Sequence, residues 1–299
     1  MTMALATGMF ALPLLICNLF LIIGVVIVSP LTGAEMPIQK SLLLVDISGH
    51  PTKPLLELLE LFDVKHDGTL SSIVEATQKL WYQAGKERWE FEVRYPDKLD
   101  AAIPLLKKLG YIDEVSASRS HYKYALLLGG YTMRMQERIE CLIKEWNRGV
   151  RFDQIVVLTG QRPLDSKTEG HIEGIETETQ MLMHLFSNAD LPNLLRSIPV
   201  LLVDVPMREK RPTTLDTINA WMRFNPEAGS CLILANQPFV NYFDLVFRTY
   251  MPTDFDLECV GNRARVKDES ALGCSLFIDN LARCLYTELG SKPGKYRGN

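Results

Sequence analysis

From Tyr124 to Gly261, short apolar runs alternate with stretches whose apolar residues recur at helical spacing. The runs are YALLLGG from Tyr124, QIVVLTG at 154–160, PVLLVDVP at 199–206, SCLILANQP at 230–238 and FDLECVG at 255–261. Met135, Ile139, Leu142, Ile143 and Trp146 form a helical stripe after the first run, and Met181, Leu182, Leu185 and Phe186 another after the second. Further helices are predicted from Thr213, over Phe239–Tyr250 and over residues 270–289. Apolar runs without polar alternation are strands buried on both faces, as in a parallel sheet covered by helices. The alternation therefore predicts an α/β domain over residues 119–290: a Rossmann-like, doubly wound, mostly parallel sheet with helices on both faces.

Upstream the pattern is mixed. After a linker at Ser29–Gln39, SLLLVDI at 41–47 reads as a short buried strand. Leu70, Ile73, Val74, Thr77, Leu80 and Trp81 define a helix. Trp89, Phe91, Val93 and Tyr95 alternate with Glu90, Glu92 and Arg94, which predicts a strand with one wet face. Leu99, Ala102, Ile103, Leu106 and Leu109 predict a helix capped by Gly110. Residues 41–118 thus read as an accessory mixed α/β subdomain. Residues 291–299 read as a solvated basic tail carrying Lys292, Lys295 and Arg297.

Met9–Ser29 carries no charge, and its length matches the ~20 residues that span a bilayer. Residues 1–34 are therefore expected to be a transmembrane anchor or signal segment. No Lys or Arg precedes the apolar run, and Thr32-Gly33-Ala34 offers small residues for cleavage. The run is longer than a usual signal core, which favours an uncleaved anchor holding an extracytoplasmic domain in the cell envelope.

Composition sharpens the picture only slightly. Hydrophobic content of 47% and charged content of 23% fit a globular chain, and a net charge of −4 leaves no expectation of nucleic-acid binding. The six cysteines include no CxxC pair, and Cys17 falls within the apolar run. Cys141, Cys231 and Cys259 lie on predicted core faces, so a disulfide framework is not expected. A single bridge from Cys274 or Cys284 stays open.

In an open parallel sheet, ligands bind outside the carboxyl ends of the strands. Here those ends carry Gly129, Gly130, Tyr131 and Thr132, then Thr159, Gly160, Gln161 and Arg162, then Asp204, and finally Asn236 and Gln237. Arg134 and Arg138 open the helix after the first strand, and Thr214 opens the one after the third. Glycines let the backbone approach a ligand closely, and arginine suits bidentate capture of phosphate or carboxylate. The cluster predicts a pocket for an anionic small molecule. Arg208, Lys210 and Arg211 read individually as surface charges, with Glu209 among them.

Glu178 begins the helix after the second strand, where it serves equally as a helix-terminus charge or as a general base. There is no GxGxxG, GxxxxGK[ST] or GxSxG, and no HExxH. No cofactor is assigned and no metal site is expected. His171, Glu173 and Glu176 read as a solvated acidic loop, and His184 as a structural histidine.

The ordered set YALLLGG with Arg138, VVLTG with Glu178 in TETQMLMHLF, PVLLVDVP with Thr214 in RPTTLDTINAW, and CLILANQPF resembles the domain-of-unknown-function 218 family, the SanA-, ElyC- and YdcF-like envelope proteins. The resemblance covers residues 120–265. It implies a Rossmann-like fold, an N-terminal membrane segment in many members, and functional positions at Gly129, Gly130, Arg138, Gly160, Glu178 and Thr214, with Arg138 and Glu178 the catalytic candidates. Thr217 stands where the family carries asparagine, and Phe239 and Tyr242 stand where many members carry histidine and arginine. A divergent member is implied. Two readings follow: an enzyme or binder acting on an anionic envelope or nucleotide-type metabolite, and a non-catalytic envelope biogenesis factor using the fold for protein contacts.

Overall fold

The strongest local signals, the five apolar runs, become five strands: β1 (His121–Leu128), β2 (Arg151–Gly160), β3 (Val200–Val205), β4 (Ser230–Asn236) and β5 (Asp256–Asn262). A computed structural model describes residues 44–46, 48–86, 90–209, 211–266 and 272–290. All strand pairs are parallel, in the order β3-β2-β1-β4-β5. The chain moves outward from β1 through β2 to β3, then returns to the other side of β1. The direction of winding therefore reverses between β1 and β4, and a crevice opens at their carboxyl ends.

Helices cover both faces. The intervening helices are α4 (Thr132–Asn147), α5 (Glu178–Asn188), the single turn α6 (Asn193–Arg196), α7 (Thr214–Met222) and α8 (Val240–Tyr250). Ala125, Leu127, Ile155, Val157, Leu232 and Leu234 meet Met135, Leu142 and Leu182 of α4 and α5. Their neighbours Leu126, Leu128, Val156, Leu158 and Ile233 meet Ile218, Trp221 and Phe247 of α7 and α8. A residue period of two delivers successive side chains to opposite cores. β3 departs from the expected full burial: Val200 and Leu202 are 41% and 38% exposed, because β3 forms one sheet edge. The other edge is covered by the connector to β1, where Val115 exchanges backbone hydrogen bonds of 2.9 Å with Gly261 of β5.

A third core joins the two ends of the described chain. The helices α1 (Lys53–Leu61), α2 (Leu70–Leu80) and α3 (Leu99–Lys108) bury Leu55, Leu58, Ile73, Trp81 and Leu106 against Phe277, Ile278, Leu281 and Leu285 of the last helix, α9 (Ser275–Gly290). All the described residues belong to one compact unit, Gln39–Asn299. The spacing of Leu70, Ile73, Val74 and Thr77 forms α2 as expected, and Gly110, at φ +75°, follows α3 in the left-handed conformation of a helix terminus. Helix α1 was not among the predicted elements, although Leu55, Leu58 and Leu59 have helical spacing.

Two expected strands are corrected. Of 41–47, the described residues form an isolated bridge between Val45 and Pro51 around a tight turn. The Asp46 carboxylate accepts hydrogen bonds from the Ser48 and His50 amides (2.8 and 2.9 Å) and folds the chain back on itself. The stretch at 89–95, of which Trp89 lies outside the described residues, pairs with side chains rather than with a strand. The Glu92 amide donates to Gln83 Oε1 (2.9 Å), the Arg94 amide donates to Ser275 Oγ (2.8 Å), and Tyr95 sits at φ +51°. The alternation is not matched by burial, since Val93 is 54% exposed, and the one backbone pairing among the described residues is an isolated bridge from Arg94 to Gly273 ahead of α9.

The predicted membrane segment, Met9–Ser29, lies outside the described residues. Among the described residues no helix is long and apolar enough to cross a membrane.

Because α9 completes the core of α1–α3, Leu281→Ala, at a fully buried position, is expected to cost about 2–5 kcal/mol. It should shift a single urea-unfolding transition monitored by fluorescence and circular dichroism. Two separated transitions would instead show that the accessory helices fold as an independent domain.

Candidate functional site

The crevice between β1 and β4 is closed at its base by Arg138, which is 3% exposed. Helix α4 begins directly after the β1 turn, so a residue two turns into it reaches back over the strand ends. The guanidinium donates from Nε to Asn236 Oδ1 at the end of β4 (3.1 Å). From Nη1 it donates to the carbonyls of Leu128 (3.1 Å) and Gly129 at the end of β1. Its face lies 5.0 Å from the centre of the Phe243 ring. Nη2 has no hydrogen-bond partner among the described residues. Burial pulls the Arg138 pKa down to about 10, which still leaves it charged at neutral pH.

Above Arg138 lies a cavity of 510 Å³. Its lining contains five arginines (Arg134, Arg138, Arg162, Arg211 and Arg283) together with Lys86, against one carboxylate, Glu178. The arginines are positioned by carboxylates set behind them. Arg162 makes a bidentate pair with Glu169 (2.6 and 2.7 Å) and donates from Nε to Glu178 Oε2 (3.1 Å). Arg134 pairs with the buried Glu137 at 3.0 Å and lies 5.6 Å from the Phe239 ring centre. Arg283 pairs with the fully buried Asp279 at 2.9 Å. Arg162 also donates to the carbonyls of Pro163 (3.1 Å) and Gly130 (3.2 Å), so all its N–H groups are engaged within the protein and it contributes charge, whereas Arg138 and Arg283 keep Nη donors for an anion.

Glu178 is at the first position of α5, yet it does not cap the helix. Thr177 and Gln180 form the capping box there. The Glu178 carboxylate instead turns toward the strand ends, where Oε1 accepts from Thr159 Oγ1 (3.2 Å). A Cβ on Gly129 would collide with Glu178 Oε1 and Thr159 Oγ1, so glycine is required for this approach. A Cβ on Gly160 would collide with Pro212 in the same way. Burial pushes the Glu178 pKa above the ordinary carboxylate range, opposed by Arg162, Thr159 and Arg138. Burial also works against the charge on Arg162, but Glu169 and Glu178 outweigh it and hold that guanidinium protonated.

Of the residues the sequence singled out, Gly129, Gly130, Arg134, Arg138, Gly160, Arg162, Glu178 and Thr214 line the cavity. Thr132, Thr159, Gln161, Asn236 and Gln237 do not. Thr159 and Asn236 stand one shell behind, holding Glu178 and Arg138. The Thr132 amide donates to Glu169 (3.2 Å). Gln161 is turned outward, where it donates to Asp204 Oδ2 (2.7 Å). Gln237 points into the protein, its Nε2 donating to the carbonyls of Gly110 (3.0 Å) and Asp113 (2.8 Å).

Arg211 is exposed, as expected of a surface charge, and also lines the cavity, while Lys210 lies outside the described residues. Phe239, Tyr242 and Phe243 supply aromatic surface, and Lys86, Leu272, Leu276 and Arg283, from outside the strand-end loops, also line the cavity. Lys86 and Arg283 had no sequence signal, because each reaches the site from a segment remote in the chain, and Glu169, in the loop after β2, had none because its side chain pairs with Arg162 without lining the cavity. Among the described residues no group of acidic, histidine and cysteine side chains could hold a metal ion, and the five described cysteines are free and buried.

The raised pKa of Glu178 has a consequence for stability. The folded chain holds this proton more tightly than the unfolded chain does. That contribution is complete below the ordinary carboxylate range and is lost as pH rises through the raised value. Urea midpoints measured from about pH 4 to 8 should therefore show wild type losing stability relative to Glu178→Gln as pH rises. Parallel profiles would contradict a buried, proton-retaining carboxyl.

Comparison of the chain with family models, with curated proteins and with solved structures finds no match.

Proposed function

We propose that the cavity at the carboxyl edge of the sheet binds an anionic small molecule of envelope or nucleotide type, in a chain tethered to a membrane through residues 9–29. The observation that carries the binding reading is the lining: five arginines and a lysine face one buried carboxylate beside an aromatic wall, at the switch point of a parallel sheet. Arg138 Nη2 is a donor in a nearly dry site, and the aromatic rings suit a flat or apolar portion of the ligand. Glu178, which burial inclines toward the protonated form, stands next to the bound group and is positioned to exchange a proton with it. The motif order supports a place as a divergent member of the domain-of-unknown-function 218 family.

A specific observation favours a second reading, binding without turnover as an envelope biogenesis factor. The wall carries Phe239 and Tyr242 at the positions where the resemblance implies histidine and arginine.

The full chain in detergent should be stabilised by nucleotides or by phosphorylated envelope precursors. A hundredfold excess over Kd contributes about 2.7 kcal/mol, readable as an upward Tm shift. Arg138→Lys, which retains charge but loses the fork, should abolish the shift. No shift with any anionic ligand would remove the binding reading. If turnover accompanies binding, Glu178→Gln should remove it while ligand affinity persists.

Tethering is tested separately. A reporter active only outside the cytoplasm, fused after Asn299, should be active and should sediment with membranes. A signal confined to the soluble cytoplasmic fraction would overturn the anchor.

A further inference from the structure

Arg138 and Arg283 come to the cavity from different layers of the fold, Arg138 from the helix after β1 and Arg283 from α9, and the rings of Phe243 and Tyr242 line it with them. Arg138 lies against the Phe243 ring, over the strand ends. Phe243 is followed by Tyr242, with ring centres 5.5 Å apart. Arg283 of α9 lines the same cavity and is stacked 4.7 Å from the Tyr82 ring centre. Lys86, in the loop after α2, lines the same cavity.

Arg283 is held by a single bond from Nε to the buried Asp279, and its two Nη atoms have no acceptor among the described residues. Its side chain is 26% exposed. Lys86 pairs with Glu92 and keeps about a third of its side chain open. Leu272 and Leu276 also line the cavity and offer no polar side-chain group.

We infer that the pocket is bipartite: Arg283 and Lys86 form a second anion subsite, so the ligand carries two anionic groups joined by an apolar or planar body. This rests on the anion-binding reading above and specifies it. The strand-end subsite takes one group against the fork of Arg138. The rings of Phe243 and Tyr242 take the body, through faces that favour flat or aliphatic surface over water. The outer subsite takes the second group, and it is built from the helices that surround the sheet rather than from the sheet's own connections. A ligand with one charged end would leave the outer arginine facing unpaired space, and a ligand with two would fill both forks.

The test uses the full chain in detergent and two probe series, alkyl monophosphates and α,ω-alkyl bisphosphates of three to ten carbons, with inorganic phosphate as reference. Affinities are measured by calorimetry. At one chain length the bisphosphate should bind about tenfold more tightly than the monophosphate of the same length. That gain should vanish in Arg283→Ala combined with Lys86→Ala, and Arg283→Lys should retain part of it. Arg138→Lys should weaken both series. The comparison within wild type stands even where a variant fails to fold. Equal binding of the two series at every length overturns the second subsite and leaves a single-anion pocket. Failure of both series and of inorganic phosphate overturns the anion-binding reading, and this inference with it.

Discussion

The site depends on one guanidinium. Arg138 joins the carboxyl ends of β1 and β4, the two strands between which the winding direction reverses. A buried charge is tolerated only where its donors are satisfied or partly wet. Here the strand-end carbonyls and the Asn236 side chain take three donor contacts, an aromatic ring covers one face, and the remaining nitrogen is left to the cavity. The same group that closes the gap in the fold therefore supplies the floor of the pocket. Structural and functional demands on this residue cannot be separated by position alone.

The other cations follow a different arrangement. Arg134, Arg162 and Arg283 each have a carboxylate that is less than one-tenth exposed behind them: Glu137, Glu169 and Asp279. Pairing fixes each fork at a cost in desolvation that a close bidentate or multiply bonded partner offsets. Local formal charge is thereby kept small while orientation is kept strong. The cavity lining thus combines oriented guanidinium groups with nearby compensating carboxylates rather than a diffuse positive field, in a chain whose net charge is −4.

The sheet was legible because parallel strands buried on both faces leave uninterrupted apolar runs, and all five runs formed strands within a few residues of their expected ends. The strand-end rule then brought out Gly129, Gly130, Arg138, Arg162 and Glu178, which line the cavity, since topology alone fixes which end of a strand faces the crevice. It could not say which way a side chain turns there, and so Gln161 and Gln237 were included although each is bonded away from the cavity. The accessory region was less legible. The apparent strand at 89–95 takes its hydrogen bonds from Gln83 and Ser275 side chains, a pairing that no local pattern encodes. Arg283 and Lys86 are brought to the pocket by the joining of distant segments, and their spacing in the chain carries no trace of it.

That joining also bears on how the chain is made. Helices α1 to α3 are among the first described elements to be synthesised, but the apolar surface they present is covered by α9, among the last. During vectorial synthesis the nascent chain must carry this uncovered leucine-rich surface past the completion of all five strands. Contacts of such long sequence separation form late and slowly, and exposed apolar surface in the interval invites misassembly. A chain truncated before Ser275 would retain every strand and yet lack the covering of its first three helices, together with Leu276 and Arg283 of the cavity lining.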